Sequence, residues 1–432
     1  MRLILIDRPT VQRVHFHPLV LSRPIWELRC GMTTLGEKLA ARANAQEVAC
    51  FVLPYMANAY RAMTVWKVND LATLSGDDLL VVDGRVKAAE LEAIDKPAPG
   101  WSQIRLDADG EVLVARIAQA DLPRLQTDSI QSLLDSAKRL LPVVSGTPHT
   151  WNYLWELVLA NPRQLYEDFA QAKRSGIEGT VEQPNALRGD RANVYIARGA
   201  VVHPMVVVDT VGGPVYIDEG AEIQPFTRIA GPCYIGKKTI LLRANCREGT
   251  SIGPMCRVGG EVEGSILHGY ANKYHDGFLG HSYVGQWVNL GALTTNSDLK
   301  NDYSNIRVVL DGSTALETGA NKIGAFIGDH VKTSIGTLLN TGAYVGAMSL
   351  IVGSGKLLPK FVPSFTWFLE DAASEGFGKA RLYAAAATAM ARRQFQWTPA
   401  DESLWDEVFR ITAPEREEAI ARSRRRLGTQ CA

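Results

Sequence analysis

The sequence predicts an α/β N-terminal domain, a parallel β-helix and a helical C-terminal segment. Three observations carry this prediction. Aliphatic runs alternate with helical segments up to about residue 140, aliphatic residues then recur at intervals of six, and alanine-rich sequence follows residue 366. Alternating strands and helices indicate a parallel sheet, whereas a period of six fits neither a helix nor a simple strand. We predict domains at 1–175, 193–365 and 366–432.

The first domain is predicted from short aliphatic runs bounded by turn-forming residues, as is typical of buried parallel strands. Segments with helical spacing lie between these runs. The predicted strands are LILI (3–6), VACFVL (48–53) and DLLVVDG (78–84), and the predicted helices cover 33–45 and 58–71.

The segments that flank the central domain are predicted to be helical or flexible. Residues 151–172 have the spacing of an amphipathic helix, interrupted near Pro162 because proline removes a backbone donor. The polar residues 174–193 predict a linker. Residues 378–395 and 402–426 predict two helices that cover an open end of the central domain.

The central domain is predicted to be a β-helix because its aliphatic residues keep one phase over many repeats. Each coil of a hexapeptide β-helix has three short faces, and each face sends one aliphatic residue inward. An irregular β-sandwich with chance spacing is the alternative. The residues in phase are Ile217, Ile223, Ile229, Ile235, Leu241, Ile252, Val258, Ile327, Leu339, Val345 and Ile351, with Thr333 in one step.

Composition restricts the function classes. Lys plus Arg and Asp plus Glu both number 46, so overall charge favours neither nucleic acid nor an anionic membrane. The six cysteines form no C-x-x-C pair, which argues against a zinc ribbon or a redox motif. The N-terminus does not read as a signal peptide, and no apolar stretch is long enough to span a bilayer. We therefore expect a cytoplasmic protein.

Two segments resemble a known family. ANKYHDGFLGHS (271–282) and the following Val-Asn-Leu-Gly-Ala (288–292) resemble the acetyltransferase half of GlmU proteins. HPLVLSRPIWELRCGMTTLGEKL (17–39) is similar to the N-terminus of a divergent GlmU-like group of bacterial sugar nucleotidyltransferases. The resemblance implies a left-handed β-helix, a homotrimer, and N-acyl transfer from acetyl-CoA to an amino-sugar phosphate or a nucleotide sugar.

The same resemblance assigns roles to residues of the β-helix. On this alignment His275 takes the place of the family's catalytic histidine. The chemistry, rather than the resemblance, makes backbone amides of the coils or the side chain of Asn289 the candidates to steady the developing oxyanion. Gly291 and Ala292 are the expected contacts to acetyl-CoA. An amine must lose a proton before it attacks a thioester, and histidine suits this task because its ordinary pKa is about 6.5. The alternative for His275 is a hydrogen-bonded surface residue.

A sugar phosphate calls for cations and amides near this histidine. The candidates are Arg247, Arg257, Asn272, Lys273 and Lys300. The resemblance implies a lysine in the coil before the histidine, where this chain instead reads Cys256-Arg257-Val258-Gly259-Gly260-Glu261. Because of this departure, the sequence does not identify the sugar. The alternative for each basic residue is a solvated surface charge.

The N-terminal domain lacks the glycine-rich loop with which sugar nucleotidyltransferases hold phosphates. Residues 5–24 contain no glycine. Arg23 and Lys38 remain as candidate nucleotide contacts, and Asp83 as a candidate Mg²⁺ ligand at a strand end. The alternative is that Asp83 and Gly84 form a turn, so nucleotidyl transfer by this domain is doubtful.

Two other function classes stay open. A metal-dependent hydratase like the γ-type carbonic anhydrases would use His268, His275 and His281 as zinc ligands, although these lie in one short segment. A non-catalytic trimeric scaffold that binds a ligand would explain the missing glycine loop.

Overall fold

A computed structural model describes residues 1–91 and 101–430. The chain forms two compact units, which we describe separately. The first comprises Met1–Phe16, Ser22–Leu28 and Thr33–Tyr153, and the second comprises His17–Leu21, Arg29–Met32 and Leu154–Ala432.

The first unit is built on a six-stranded sheet. Its central strand, β1, pairs in parallel with β2 and β4, which confirms the three predicted strands. The strands are β1 (Arg2–Ile6), β2 (Glu47–Phe51), β3 (Lys67–Val68), β4 (Leu79–Asp83), β5 (Gln103–Leu106) and β6 (Val112–Ile117), in the order β3-β2-β1-β4-β6-β5. Strands β5 and β6 are antiparallel additions at one edge.

Four α-helices belong to the described part of this unit. They are α1 (Val11–Val14), α2 (Leu35–Ala43), α3 (Ala57–Arg61) and α4 (Ile130–Leu140). Helix α2 begins at a capping box in which Thr34 and Glu37 exchange side-chain and backbone bonds. The predicted helix over 58–71 is wrong beyond Arg61, because the chain there pairs with β2 as the edge strand β3.

The long C-terminal segment of the second unit begins with helix α5 (Leu154–Ala172), which continues through Pro162. The predicted interruption is therefore wrong. The proline ring packs over Gly249, where a Cβ would lie 2.8 Å from its Cγ. This contact holds the helix against the β-helix and offsets the lost backbone bond.

A parallel β-helix follows α5, with three faces of stacked short strands. On the first face lie Thr180–Val181, Val201–Val202, Glu222–Ile223, Ile240–Cys246, Arg257–Glu263, Asn272–Lys273, Lys332–Thr333, Leu350–Val352, Trp367–Leu369 and Ala372–Ser374. The second face holds Ala186–Arg188, Val207–Asp209, Arg228–Ala230, the ends of Ile240–Cys246 and Arg257–Glu263, Phe278–Gly280, Thr295–Asn296 and Leu338–Leu339. The third face holds Gly176–Ile177, Val194–Ile196, Val215–Ile217, Cys233–Ile235, Thr250–Ile252, Ile266–Leu267, Tyr283–Val284, Phe326–Ile327, Tyr344–Val345 and Phe361–Val362.

Each face sends a column of side chains into the interior. The residues that follow the six-residue spacing are buried, so the prediction of a β-helix is confirmed. The advance per coil varies: it is 21 residues where Val194 pairs with Val215, 18 where Glu222 pairs with Ile240 and 17 where Cys233 pairs with Thr250. The predicted linker 174–193 is wrong, because its strands form the first coil of the β-helix.

One coil carries a long insert. Tyr283 pairs with Phe326, 43 residues later, whereas Ile266 pairs with Tyr283 after 17. The insert contains an antiparallel hairpin of Arg307–Val309 and Ala315–Glu317. Its ends meet where Leu299 bridges Lys322, so the coils on either side still stack.

Three helices end the described chain: α6 (Lys379–Ala391), α7 (Pro399–Ile411) and α8 (Ala413–Gln430). The single helix predicted over 402–426 is wrong, because Thr412 leaves helical geometry with ψ at 9°. Ile420 of α8 joins the interior cluster of the β-helix, as expected of a cover for its end.

Two predictions from composition concern cysteines and membranes. The five cysteines among the described residues are all free and buried, as expected of small core residues rather than of a zinc ribbon or a redox motif. Every helix in the described ranges is too short or too polar to cross a lipid bilayer.

Candidate functional site

His275 lies at the corner where the chain passes from the first face of the β-helix to the second. It follows the strand Asn272–Lys273 and precedes Phe278–Gly280. Its side chain is exposed, and its ring meets that of Tyr274 edge-on at 5.9 Å between centroids. An exposed imidazole is accessible to an external amine, as a general base must be.

Lys273 supports this corner from inside. It pairs in register with Val258, so its side chain enters the interior column, where it is 2% exposed. Its Nζ donates to the carbonyl oxygens of Gly259 at 2.9 Å and His275 at 2.7 Å. Burial lowers the pKa of Lys273 to about 8. The predicted contact with sugar phosphate would require this ammonium to leave both carbonyls, so the geometry gives Lys273 a positioning role.

The amides of Asn272 and Asn289 stack on adjacent coils of the first face. The Nδ2 of Asn272 donates to the Oδ1 of Asn289 at 2.5 Å, and both side chains are half-buried. Lys332 occupies the next step of the same ladder. Burial lowers the pKa of Lys332 to about 8. The two predicted residues are thus brought together on the surface that leads to the His275 corner.

Gly291 and Ala292, the predicted acetyl-CoA contacts, lie at the same corner one coil later. A Cβ on Gly291 would lie 2.6 Å from the backbone of Ser334, so coil stacking alone requires glycine here. The carbonyl of Ala292 accepts a bond from the Gly336 N–H. The backbone of this segment is therefore engaged in the stack.

The predicted cations are dispersed. Arg247 bonds Glu263 at 2.6 Å and approaches Glu261 and Glu248. Arg257 donates to the carbonyls of Lys238 and Cys256. Lys300, in the insert, donates to Ser304 and Asn305. Each of these side chains already has partners within the chain, and the structure does not gather them around His275.

Polar residues also replace aliphatic ones inside the neighbouring coils. The carboxamide of Asn296, 4% exposed, bonds both backbone groups of Gly280 at 2.8 and 3.0 Å. Thr333 and Thr294 share a bond of 2.7 Å. The interior therefore becomes polar beside the His275 corner, which distinguishes these coils from the aliphatic coils before them.

Sequence reasoning named His281 as a possible zinc ligand but missed its carboxylate partner. The Nδ1 of His281 lies 2.7 Å from Asp298, and both side chains are largely buried. The two residues are 17 apart, the same interval that separates Asn272 from Asn289. A search for acidic residues one coil away from each histidine would have found this pair.

The structure does not support the zinc alternative within one chain. Among the residues it describes, no three His, Cys, Asp or Glu side chains converge as metal ligands. His268 is 5% exposed and lies 3.2 Å from the hydroxyl of Tyr283, while His281 is held by Asp298.

Asp83, the predicted Mg²⁺ ligand of the first unit, is held by arginines. Its carboxylate accepts from Arg85 at 3.0 and 3.3 Å and from Arg8 at 3.4 Å, and it is 4% exposed. Its Oδ1 also accepts the Arg85 N–H, which confirms the alternative of a turn. A Mg²⁺ ion would have to displace two guanidinium groups, so this donor set does not fit the metal.

Neighbouring polar residues of this unit are likewise enclosed. Arg13 bonds both carboxylate oxygens of Asp7, and burial still raises the pKa of Asp7. Arg23, predicted to contact nucleotide, is 3% exposed, and its carbonyl accepts from Arg13. Lys38 lies half-buried on α2. The structure thus does not form an open nucleotide site from the predicted residues.

Fold and site together define a class: an α/β unit joined to a parallel β-helix with an exposed corner histidine. Residues 3–175 match the family described as sugar nucleotidyl transferase.

Similar curated proteins point the same way. A bifunctional sugar-1-phosphate nucleotidylyltransferase/acetyltransferase of Sulfurisphaera tokodaii is 34% identical over 151 residues, which are 32% of this chain and 35% of that protein. The bifunctional protein GlmU of Thermotoga petrophila is 27% identical over 178 residues, 37% of this chain and 36% of that protein. The bifunctional protein GlmU of Methanococcus maripaludis is 28% identical over 225 residues, which are 52% of this chain and 48% of that protein.

The chain thus spans about a third of the length of the first two relatives. The GlmU-like resemblance inferred from the sequence is confirmed.

Proposed function

We propose that the β-helix transfers an acyl group, acetyl in the first instance, from acyl-CoA to the amine of an amino-sugar phosphate or a nucleotide sugar. The observation that carries this proposal is the accessible imidazole of His275, in the sequence block shared with GlmU proteins, on a corner anchored from inside by Lys273. The acetyltransferase function in the name of the Sulfurisphaera tokodaii relative supports it.

The chemistry asked of His275 is proton removal. A protonated amine has no lone pair, so a positioned base that takes its proton is worth roughly 100- to 10,000-fold in rate. The thioester of acyl-CoA is already activated, and no covalent nucleophile is needed. Asn289, tied to Asn272 at 2.5 Å, offers a preorganised amide for the developing oxyanion.

A second copy of the chain is expected to complete the site. The His275 corner exposes apolar side chains on coils before and after the histidine: Phe226 is 69%, Leu293 61% and Ile335 75% exposed. A row of large apolar residues along one edge is typical of an interface. We propose a homotrimer in which this edge meets the next subunit.

A screen of thiol release tests this function. Acetyl-CoA is offered with a panel of amino-sugar phosphates and nucleotide sugars, and released CoA is measured. We expect His275→Ala to lose at least 100-fold in rate with an accepted substrate. The matched control is His203→Ala, since His203 follows the first face four coils earlier and contacts Glu182 and Glu222. Full activity in His275→Ala would remove the proposed base.

Assembly is tested separately. Sedimentation of wild type should give three times the monomer mass, and the double variant Leu293→Asp, Ile335→Asp should sediment as a smaller species with reduced thiol release. A fully active monomer would contradict a site shared between subunits.

For the first unit we propose that nucleotidyl transfer is slow or absent. The enclosure of Asp83 by Arg8 and Arg85 favours a unit that retains the family fold without a metal-bound reaction centre. Pyrophosphate release from UTP and a sugar 1-phosphate should stay near background. Robust release that Asp83→Asn abolishes would overturn this proposal.

A further inference from the structure

The His281–Asp298 pair lies on the far side of the second face from the His275 corner. The Asp298 carboxylate accepts from Nδ1 of His281 at 2.7 Å, with 13% and 19% of the two side chains exposed. Burial opposes the charged carboxylate, but the hydrogen bond and the electrostatic interaction with His281 hold the pKa of Asp298 below its usual value. The imidazole tautomer that donates from Nδ1 to Asp298 presents its other nitrogen, Nε2, as a hydrogen-bond acceptor.

Nε2 is directed to a groove between α5 and the β-helix. A Cβ on Gly264 would lie 3.0 Å from Nε2, so the missing side chain opens the space in front of the ring. Gly264 and His281 both line this groove, which has a volume of about 610 Å³. Leu159 and Pro162 of α5 form its apolar wall.

The polar wall of the groove is rich in acceptors. Asp209, Glu248 and Glu263 line it, against the single guanidinium of Arg228 among the lining residues. Arg228 and Arg188 neutralise Asp209, and Arg247 with Lys322 neutralises Glu263. Glu248 is 54% exposed, and its contact to Arg247 is long, at 3.4 Å.

We propose that this groove binds an amine-bearing small molecule, with its ammonium donating to Nε2 of His281 and to Glu248. An ammonium carries three donors and a positive charge, which matches the exposed carboxylate of Glu248 and an imidazole acceptor. The apolar wall from α5 would cover the carbon skeleton of the ligand. The groove is distinct from the exposed corner at which His275 lies.

Calorimetry with the full chain and D-glucosamine, without acyl donor, tests this site. N-acetyl-D-glucosamine serves as the matched neutral probe and should bind at least tenfold more weakly. We expect His281→Gln to weaken glucosamine binding at least tenfold, and Asp298→Asn and Glu248→Gln to weaken it severalfold. The control is His203→Gln, which should bind as wild type does.

A charge-reversing variant guards against misfolding of the His281 variants. Glu248→Lys changes a side chain that is 54% exposed, removes the proposed carboxylate partner of the ammonium, and should weaken binding at least tenfold. Equal binding of the two sugars, or unchanged binding in both His281→Gln and Glu248→Lys, would overturn the proposal. So would the absence of glucosamine binding to wild type.

The choice of an amino sugar as the probe rests on the proposed function, but the two claims fail separately. If none of the acceptors in the panel gave thiol release, acyl transfer would be refuted, and binding in the groove could still be measured. If glucosamine binding is lost in His275→Ala and kept in His281→Gln, the amine binds at the corner, and the groove is not its site.

Discussion

The buried carboxylate of Asp83 and the exposed imidazole of His275 lie in two units that treat polar side chains in opposite ways. In the α/β unit, arginines from the same chain bond the carboxylates, so the charges are satisfied internally. In the β-helix, the polar residues inside the coils hold backbone groups and leave the corner histidine open to solvent. Family resemblance alone does not reveal this difference, because it depends on which side chains fill each site.

The largest effect should come from removing one of the two arginines, Arg8 and Arg85, that enclose the Asp83 carboxylate; we call this pair the arginine cage. Arg85→Met removes the main partner of a carboxylate that is 4% exposed. Breaking a buried pair in this way costs about 3–5 kcal/mol. Hydrogen exchange of β4 amides should report the loss as a lower opening free energy.

Arg124→Met is the control for this cage, since its bond to Asp121 is a surface pair with 62% of the arginine side chain exposed. Such pairs contribute about 0–1 kcal/mol. If Arg85→Met were equally mild, Asp83 would not depend on the cage, and the contrast between the two units would weaken.

The next effect concerns the charge inside the β-helix. The pKa of Lys273 is lowered to about 8 from 10.5, so its charged form costs about 3 kcal/mol of folding free energy below pH 8. Since the unfolded chain binds the proton more tightly, this cost disappears as pH rises from 8 towards 10.5.

Lys273→Met removes that cost but also two bonds to carbonyls. Its unfolding free energy relative to wild type should therefore fall by about 2 kcal/mol between pH 7 and pH 10. Leu290→Met, in the same column one coil later, carries no charge and should give a difference that is constant with pH. Parallel pH profiles for both variants would mean that Lys273 is solvated in the folded state.

A smaller effect is expected from Asn296. Asn296→Leu restores the aliphatic column between Leu279 and Leu339 but leaves the Gly280 N–H without its carboxamide partner. An unpaired buried donor costs about 1–3 kcal/mol, and the added apolar burial offsets part of it, so we expect a loss of about 1 kcal/mol in urea unfolding. Asn301→Leu, at an exposed position of the insert, should change stability by less than about 0.5 kcal/mol. A stabilised Asn296→Leu would show that the polar interior is dispensable.

The smallest effect on stability should be that of His275→Ala, within about 0.5 kcal/mol, because the side chain is exposed. The same variant should lose activity, as set out above. Thermal unfolding of His275→Ala and wild type side by side checks this, and a large drop would assign His275 a structural role.

The sequence predicts repetition well and local enclosure poorly. The period of six located the interior residues of most coils, because each face of each coil needs an apolar side chain at the same inward position. It did not identify the coil at 176–188, where polar side chains occupy the positions between the inward residues.

Site residues were harder to predict when their partners lie far apart in sequence. Asp83 reads as a free strand-end carboxylate until Arg8, 75 residues away, is brought to it. The pairing of His281 with Asp298 could have been predicted from the sequence, because the two residues occupy equivalent positions on adjacent coils. The inward direction of Lys273 follows from its register with Val258, although lysine in an aliphatic column is unexpected from composition.

The insert between Leu299 and Lys322 has a consequence for chain continuity. The coils before and after it stack directly, as Tyr283 on Phe326 and Thr295 on Leu338. Ile306, Val308 and Leu310 of the hairpin arm are buried, while its turn at Ser313 is held by the side chain of Asp311. A protease cut at that turn would leave two fragments that remain associated after dilution, because stacking rather than the peptide link fixes the position of each rung.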